Sequence, residues 1–84
     1  MKYYSKHEVS QHSTSEDCWI VINDKIYNIT RFLHIHPGGK NILMTVAGED
    51  ATEYFYALHK KEIIDTMGSA YLVGYLSDKE ISKL

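Results

Sequence analysis

Short runs of β-branched and aromatic residues, separated by turn residues, predict three β-strands. Residues 18–22 (Cys-Trp-Ile-Val-Ile) and 26–29 (Ile-Tyr-Asn-Ile) form two such runs, and an Asn-Asp-Lys turn lies between them. This pattern is typical of a β-hairpin. Residues 71–76 (Tyr-Leu-Val-Gly-Tyr-Leu) form a similar run near the end of the sequence, so we expect another strand there.

A capping signal near the N-terminus predicts the first helix. Ser5 is followed three residues later by Glu8, which is the spacing of a capping box, so we expect a short helix to begin at the next residue. The polar residues 13–17 that follow are typical of a loop. His7 and His12 lie in this polar region, and we expect both to be solvated surface side chains.

Helical segments are predicted between the hairpin and the last strand. Residues 30–33 have the pattern of one helical turn. Residues 39–46 predict a second helix, with Ile42, Leu43 and Val46 on one apolar face.

A second capping signal, at Asp50, predicts a third helix that carries Phe55 and Leu58. Residues 61–67 are expected to form a fourth short helix, and residues 78–83 a polar tail or short helix. Strands, then helices, then a strand is the order of elements in an α+β protein.

Composition and charge narrow the functional classes. The 84 residues suit one domain, spanning 1–84, and 44% hydrophobic with 24% charged residues is ordinary for a soluble globular protein. The formal net charge of -2 gives no support for nucleic-acid binding, which requires a basic patch. The sequence has no apolar run of about 18 residues and no apolar signal-peptide core. We therefore expect a soluble, cytoplasmic monomer with no membrane span.

Two histidines bracket the middle of the chain and suggest a cofactor site. His36 precedes Pro37 and two glycines, which favour extended backbone followed by a sharp turn and leave the imidazole projecting outward. Two predicted helices separate it from His59, so a helical hairpin would bring the second imidazole back opposite the first. The inner faces between them carry mainly Phe, Ile and Leu. An apolar slot with an imidazole at each wall suits a flat iron porphyrin.

His34 leaves a second kind of site open. Residues two apart in extended backbone point the same way, so His34 and His36, together with His59, offer three ligands for zinc with water as the fourth. Cys18 is the only cysteine, which excludes a disulfide and a four-cysteine metal site, and we expect it to be a small buried side chain. The sequence also lacks Cys-x-x-Cys-His, the attachment motif for c-type haem.

The spacing of several motifs resembles the haem-binding domain of the cytochrome b5 family. The chain has His-Pro-Gly-Gly at 36–39, Ala-Gly-Glu-Asp-Ala-Thr-Glu-Tyr-Phe at 47–55 and His59 at a matching distance. The likeness extends to Cys-Trp at 18–19 and to the predicted strand at 71–76, so it covers nearly the whole chain.

This resemblance implies a cytochrome b5-like α+β fold, in which a short mixed sheet supports two helical hairpins that form the haem cleft. It implies noncovalent haem b with His36 and His59 as axial ligands, and Gly38 in the turn that brings the first ligand to the iron. The implied pocket walls are Phe32, Ile42, Leu43, Phe55, Leu58 and Met67. Because protein fills both axial positions, the implied function is electron transport and not catalysis, either alone or as the haem domain of a larger oxidoreductase.

The resemblance also implies redox partners, namely a flavin reductase and an acceptor oxidoreductase or desaturase. Microsomal members have one more residue between the ligands, so the spacing here is more similar to that of fused domains in some oxidoreductases and desaturases. Lys40 and Asn41 stand where microsomal members carry acidic residues, so we expect weaker attraction to basic partners. Lys60 stands where a serine usually contacts a haem propionate. Relatives that bind steroids on this fold lack the two histidines, which this chain retains.

Overall fold

A computed structural model gives the structure of the protein and describes residues 2–35, 40–58, 62 and 70–77. The strands are β1 (Tyr3–Tyr4), β2 (Ser13–Thr14), β3 (Asp17–Ile22), β4 (Lys25–Asn28) and β5 (Leu72–Leu76). The helices are α1 (Lys6–Ser10), α2 (Phe32–Ile35), α3 (Lys40–Met44) and α4 (Thr52–Leu58). The α+β fold predicted from the order of elements is confirmed. The fourth helix and the polar tail that we predicted at 61–67 and 78–83 lie outside the described residues, apart from residue 62.

The strands form one mixed sheet in the order β1-β5-β4-β3-β2. Strand β1 is parallel to β5, and the other pairs are antiparallel. The predicted hairpin is confirmed as β3 and β4. Its two turn residues, Asn23 and Asp24, have φ angles of 56° and 66°, which is the left-handed backbone of a tight hairpin turn. The third residue of the predicted turn, Lys25, already pairs with Ile22 in the ladder.

Two strands have no signal in the sequence. Strand β1 has two residues, which pair with Tyr75 and Leu76 of β5, and two residues are too few to show an alternating pattern. The expected loop at 13–17 is wrong in part, because Ser13 and Thr14 pair with the start of β3 as strand β2. Both pairings depend on contacts that only the folded chain provides.

Two apolar clusters pack against the sheet. Alternate residues of β3 belong to different clusters, because side chains point to opposite faces along a strand. The first cluster lies beneath helices α2, α3 and α4 and contains Cys18, Ile20, Ile22, Tyr27, Ile29, Leu33, Leu43, Ala47, Ala51 and Phe55. The second contains Val9, Val21, Ile26 and Leu76. The expectation for Cys18 is confirmed: its side chain is buried, and burial together with the nearby charge of Asp17 raises the pKa of the thiol to about 11.

The predicted cap of α1 is confirmed, whereas α2 begins later than expected. The Ser5 side chain accepts a hydrogen bond from the Glu8 N–H at 3.0 Å, which is the serine half of a capping box. Helix α2 begins at Phe32 and not at residue 30. The Asn28 side chain accepts hydrogen bonds from both the N–H and the hydroxyl of Thr30, so these residues form a local turn before the helix.

The expectation that His12 is a solvated side chain is wrong. Its ring stacks on Trp19 with centroids 3.7 Å apart and an interplanar angle of 5°. Its Nδ1 lies 2.8 Å from the Asp17 carboxylate and its Nε2 lies 2.8 Å from Glu8 Oε2, and the side chain is only 20% exposed. The β2–β3 hairpin produces this contact by folding the chain back, so that the Trp19 N–H donates to the His12 carbonyl at 2.8 Å.

The surroundings of His12 favour its protonated form. Burial lowers the pKa of the imidazole, but the hydrogen bonds to Asp17 and Glu8 and the charges of these carboxylates outweigh burial and raise the pKa above 6.5. The folded state therefore binds the proton more tightly than the unfolded state does. This stabilisation is fully present below about pH 6.5 and is lost as the pH rises through the folded-state pKa.

Replacing His12 with glutamine should remove this pH-dependent contribution. We expect His12→Gln to lower the free energy of unfolding by about 1 kcal/mol near pH 6, because both carboxylates are half-exposed and their ion pairs are partly screened. The difference from the unmodified protein should shrink above the folded-state pKa. Urea unfolding at acidic and alkaline pH measures this difference. His7→Gln, which removes an exposed imidazole from helix α1, is the matched control. An equal loss of stability at both pH values would contradict the pH-dependent contribution assigned to His12.

Candidate functional site

Two helices lead directly into the segments that carry the bracketing histidines. Helix α2 ends at Ile35, one residue before His36, and α4 ends at Leu58, one residue before His59. Both helices are held by the first core cluster, α2 through Leu33 and α4 through Phe55, which are 2% and 0% exposed. The two histidine-bearing segments therefore start from helices that pack on the same core.

The predicted site residues divide into those that the structure describes and those that it does not. His36, Gly38, His59 and Met67 lie outside the described residues. For Leu58 the structure describes the backbone, as the last residue of α4.

The predicted wall residues on α2, α3 and α4 differ in exposure. Leu43 and Phe55 are 1% and 0% exposed and belong to the core cluster. Phe32 is partly buried and packs against the same cluster. Its ring makes an edge-to-face contact with the ring of Tyr71, and the two ring centroids are 6.0 Å apart. Ile42, predicted to share an apolar face with Leu43, is 50% exposed. Periodicity identifies apolar positions on a helix, but it does not show which of them the protein itself covers.

Exposed apolar side chains lie on both sides of the His-Pro-Gly-Gly segment. Ile35, the last residue of α2, is 67% exposed, and Ile42, in the first turn of α3, is 50% exposed. Leaving a large aliphatic side chain in water forgoes about 1.5–3 kcal/mol of burial free energy. Two exposed aliphatic side chains that flank the His-Pro-Gly-Gly segment in the sequence fit an apolar macrocycle with an imidazole ligand, so the residues present suit a haem. Sequence reasoning missed Ile35, although its position next to His36 was a usable signal.

Backbone hydrogen bonds fasten the connection between α3 and α4 to strand β3. The Gly48 N–H donates to the Trp19 carbonyl at 2.7 Å. Val21 donates to the Glu49 carbonyl at 3.0 Å and accepts from the Ala51 N–H at 2.7 Å. Gly48 has a φ of 76°, and a Cβ there would lie 3.1–3.2 Å from atoms of residues 10 and 13, so glycine permits the close approach. The start of α4 is thus held by strand β3.

The capping box predicted at Asp50 is wrong in its details. Asp50 Oδ1 accepts from the Thr52 N–H at 2.9 Å and from the Thr52 hydroxyl at 2.6 Å, whereas a capping box would use the Glu53 N–H. This is the local Asx-type turn that aspartate often forms two residues ahead. The third helix itself is confirmed as α4, which begins at Thr52.

The geometry assumed for a zinc site is also wrong at His34. This residue lies in helix α2, where its N–H donates to the Arg31 carbonyl at 3.1 Å, and not in extended backbone. Residues two apart in a helix point in different directions, so His34 would not share a face with the next histidine if the helix continued. Among the described residues, no group of three His, Cys, Asp or Glu side chains is arranged to hold a metal ion.

Comparison with known proteins identifies the family. The model of the Cytochrome b5-like Heme/Steroid binding domain matches residues 5–77. The chain belongs to this family. The cytochrome b5 domain binds b-type haem and serves in electron transport, and the predicted fold and cofactor are therefore confirmed at the level of the family.

Individual relatives agree with this assignment. Cytochrome b5 isoform B of Arabidopsis thaliana is 43% identical over 82 residues, which are 98% of this chain and 61% of the plant protein. Delta(5) fatty acid desaturase A of Dictyostelium discoideum is 40% identical over 83 residues, which are 98% of this chain but 18% of the desaturase. The structure of cytochrome b5 of Ostreococcus tauri virus 2 is 39% identical, with a TM-score of 0.79 over 87% of this chain and 94% of the viral one.

In the plant cytochrome b5 and in the desaturase, the matched region is part of a longer chain. The present chain spans about three fifths of the length of the cytochromes b5 of Arabidopsis thaliana and Borago officinalis that it matches. Within the described part of the chain, no helix combines the length and the apolar content that crossing a membrane requires.

Two neighbouring residues of α3 provide a test of the apolar surface. Ile42→Ala should change the free energy of unfolding of the haem-free protein by less than about 0.5 kcal/mol, because this side chain is half-exposed. It should nevertheless speed hemin release about tenfold, because hemin would lose an apolar contact. Leu43→Ala, the matched control, should cost about 2–4 kcal/mol of stability without hemin, because Leu43 is buried.

Urea unfolding of the haem-free variants and transfer of hemin to excess apomyoglobin measure the two quantities. Equal stability losses in both variants, or unchanged hemin release from Ile42→Ala, would contradict a role for Ile42 in lining the haem site.

Proposed function

We propose that this chain binds haem b between His36 and His59 and carries one electron between a flavin reductase and an acceptor oxidoreductase or desaturase. The observation that carries the proposal is that both histidine-bearing segments follow helices anchored in one core. Each begins one residue beyond a helix, and both helices pack on the same core cluster. The family match over residues 5–77, which includes both histidines, supports the same pair.

The chain's own residues would do three things at this site. His36 and His59 would bind the iron through neutral imidazole nitrogens, one from each side. Ile35 and Ile42 would cover apolar edges of the macrocycle and exclude water from them. Haem, when bound, supplies a one-electron couple. Because two protein ligands leave no open position at the metal, the chain has no place to bind a substrate or oxygen there, which favours electron transfer over catalysis.

Single histidine substitutions test the ligand assignment. We expect His36→Ala and His59→Ala each to open one axial position and to replace the low-spin absorption spectrum of the hemin-loaded protein with a high-spin one. His34→Ala, the matched control, should keep the low-spin spectrum, because His34 lies on α2 before the proposed ligand. A low-spin spectrum in His36→Ala together with a high-spin one in His34→Ala would mean that His34 is the first ligand.

The exposed surface of α3 bears on the charge of the redox partner that this chain attracts. The exposed residues of this helix are Lys40, Asn41 and Ile42, and none of them is acidic. The acidic residues that follow it next in the sequence, Glu49, Asp50 and Glu53, lie on the connection and on α4. Charge complementarity mainly sets the encounter rate and the choice of partner, so α3 should contribute little attraction to a basic protein.

Adding a negative charge to α3 should therefore speed encounter with a basic acceptor. We expect Lys40→Glu to raise the bimolecular rate of electron transfer to mitochondrial cytochrome c about threefold to tenfold at low ionic strength, and to have little effect in high salt, where the charges are screened. Lys2→Glu, which makes the same change in net charge next to edge strand β1, is the control. Equal acceleration by both variants would show that net charge, and not the α3 surface, sets the rate.

A further inference from the structure

The β3–β4 turn contacts helix α4 at two points that are one helical turn apart. The Asn23 backbone N–H donates to Thr52 Oγ1 at 2.9 Å, and Asn23 Nδ2 donates to the Tyr56 hydroxyl at 3.1 Å. Residues four apart lie on the same face of a helix. A single turn residue therefore holds both the beginning and the middle of α4.

Asn23 is a firm anchor because its own backbone has little freedom. It occupies a two-residue turn that the Ile22–Lys25 pair closes, with a positive φ of 56° that asparagine tolerates better than most residues. The next residue, Asp24, accepts a hydrogen bond from the Leu76 N–H at 2.9 Å, which ties the same turn to β5. The turn is thus held by strands on both sides.

The two contacts restrict rotation of α4 in a way that core packing alone does not. Helix α4 has seven residues, so it depends on tertiary contacts for its position. Phe55 is fully buried in the first cluster and Tyr54 packs against the same cluster, but neither lies on the helix face of Thr52 and Tyr56, so the helix can still pivot about them. Tyr56 projects about 100° away from Phe55 around the axis, and its bond to Asn23 opposes that pivot. Any rotation of α4 would move Leu58 and the chain that leaves it.

We propose that Asn23 and Tyr56 are positioning residues for His59, a role that rests on the axial ligation proposed above. The bond between them sets the rotation of α4 and therefore the direction in which the chain continues to the second ligand. The orientation of the His59 imidazole about the iron then depends on a hydrogen bond made by the β3–β4 turn. The rate at which this ligand dissociates from the iron depends on the same bond.

Two substitutions remove this bond from opposite sides. Tyr56→Phe deletes only the hydroxyl. Asn23→Gly deletes the side-chain amide, while glycine retains both the positive φ of the turn and the backbone N–H that reaches Thr52. We expect each variant to release hemin about threefold faster, as fits an exposed hydrogen bond, and to shift the ferric EPR g values in the same direction. The double variant should match each single variant, because both remove one interaction.

A second tyrosine on the same helix provides the control. Tyr54 is half-buried, and its hydroxyl makes no hydrogen bond to another described residue, so Tyr54→Phe should leave hemin release and the g values unchanged. The melting temperature of each haem-free variant separates positioning from general destabilisation. If Tyr56→Phe lowers that temperature but leaves the g values and hemin release equal to those of Tyr54→Phe, the positioning role is overturned.

The same measurements separate this proposal from the ligation on which it rests. If the unmodified protein with hemin is not low-spin, the axial ligation is wrong, and the positioning role is wrong with it. If the unmodified protein is low-spin and loses that spectrum in His59→Ala, while Tyr56→Phe and Asn23→Gly match the control, only the positioning role is overturned.

Discussion

Burial of strand β3 on both faces is the constraint that organises the helix side of the molecule. Ile20 and Ile22 are fully buried beneath the helices, while Val21 is buried in the cluster on the other face. The Val21 peptide also bonds to both Glu49 and Ala51, so the connection between α3 and α4 is fixed to the same strand. A register shift of one residue would exchange the two faces and break these bonds together, which makes the arrangement specific.

The helices depend on this strand because they are too short to be stable alone. They have four to seven residues, whereas isolated helices shorter than about 12–15 residues are marginal in water. Their positions therefore come from burying side chains in the core: Val9 of α1 in the second cluster, and Leu33, Leu43 and Phe55 of the other three helices in the first. A ligand that binds only the folded chain adds to its stability by mass action. In a domain of this size, where the core is small, that contribution is expected to be a large share of the total.

The parts of the fold that local chemistry determines were predictable from sequence. The β3–β4 hairpin follows from two β-branched runs around an Asn-Asp turn, and the start of α1 follows from the spacing of Ser5 and Glu8. The α+β class follows from the order of the elements. Predicting the cofactor required more than local pattern. Two histidines indicate a haem site only when their spacing and the motifs around them are considered together.

The features that the sequence did not reveal are set by contacts between distant segments. Strand β1 exists because it pairs with β5, and His12 is sequestered because the β2–β3 hairpin brings Trp19 against it. His34 was expected in extended backbone because of the proline that follows nearby, but packing of Leu33 in the core favours a helical turn there. The exposure of Ile42 could not be read from its spacing, since a helical repeat does not show which apolar residues the protein leaves for a ligand.

The central claim is that two imidazoles of this chain close the coordination sphere of a haem iron, which makes the domain an electron carrier. Absorption spectra of the unmodified protein with one equivalent of hemin, recorded in the ferric form, after reduction and after addition of carbon monoxide, test it most directly. The account predicts a low-spin spectrum in both oxidation states and no change with carbon monoxide. A high-spin ferric spectrum, or a ferrous spectrum that shifts as carbon monoxide binds, would show an open axial position and contradict it.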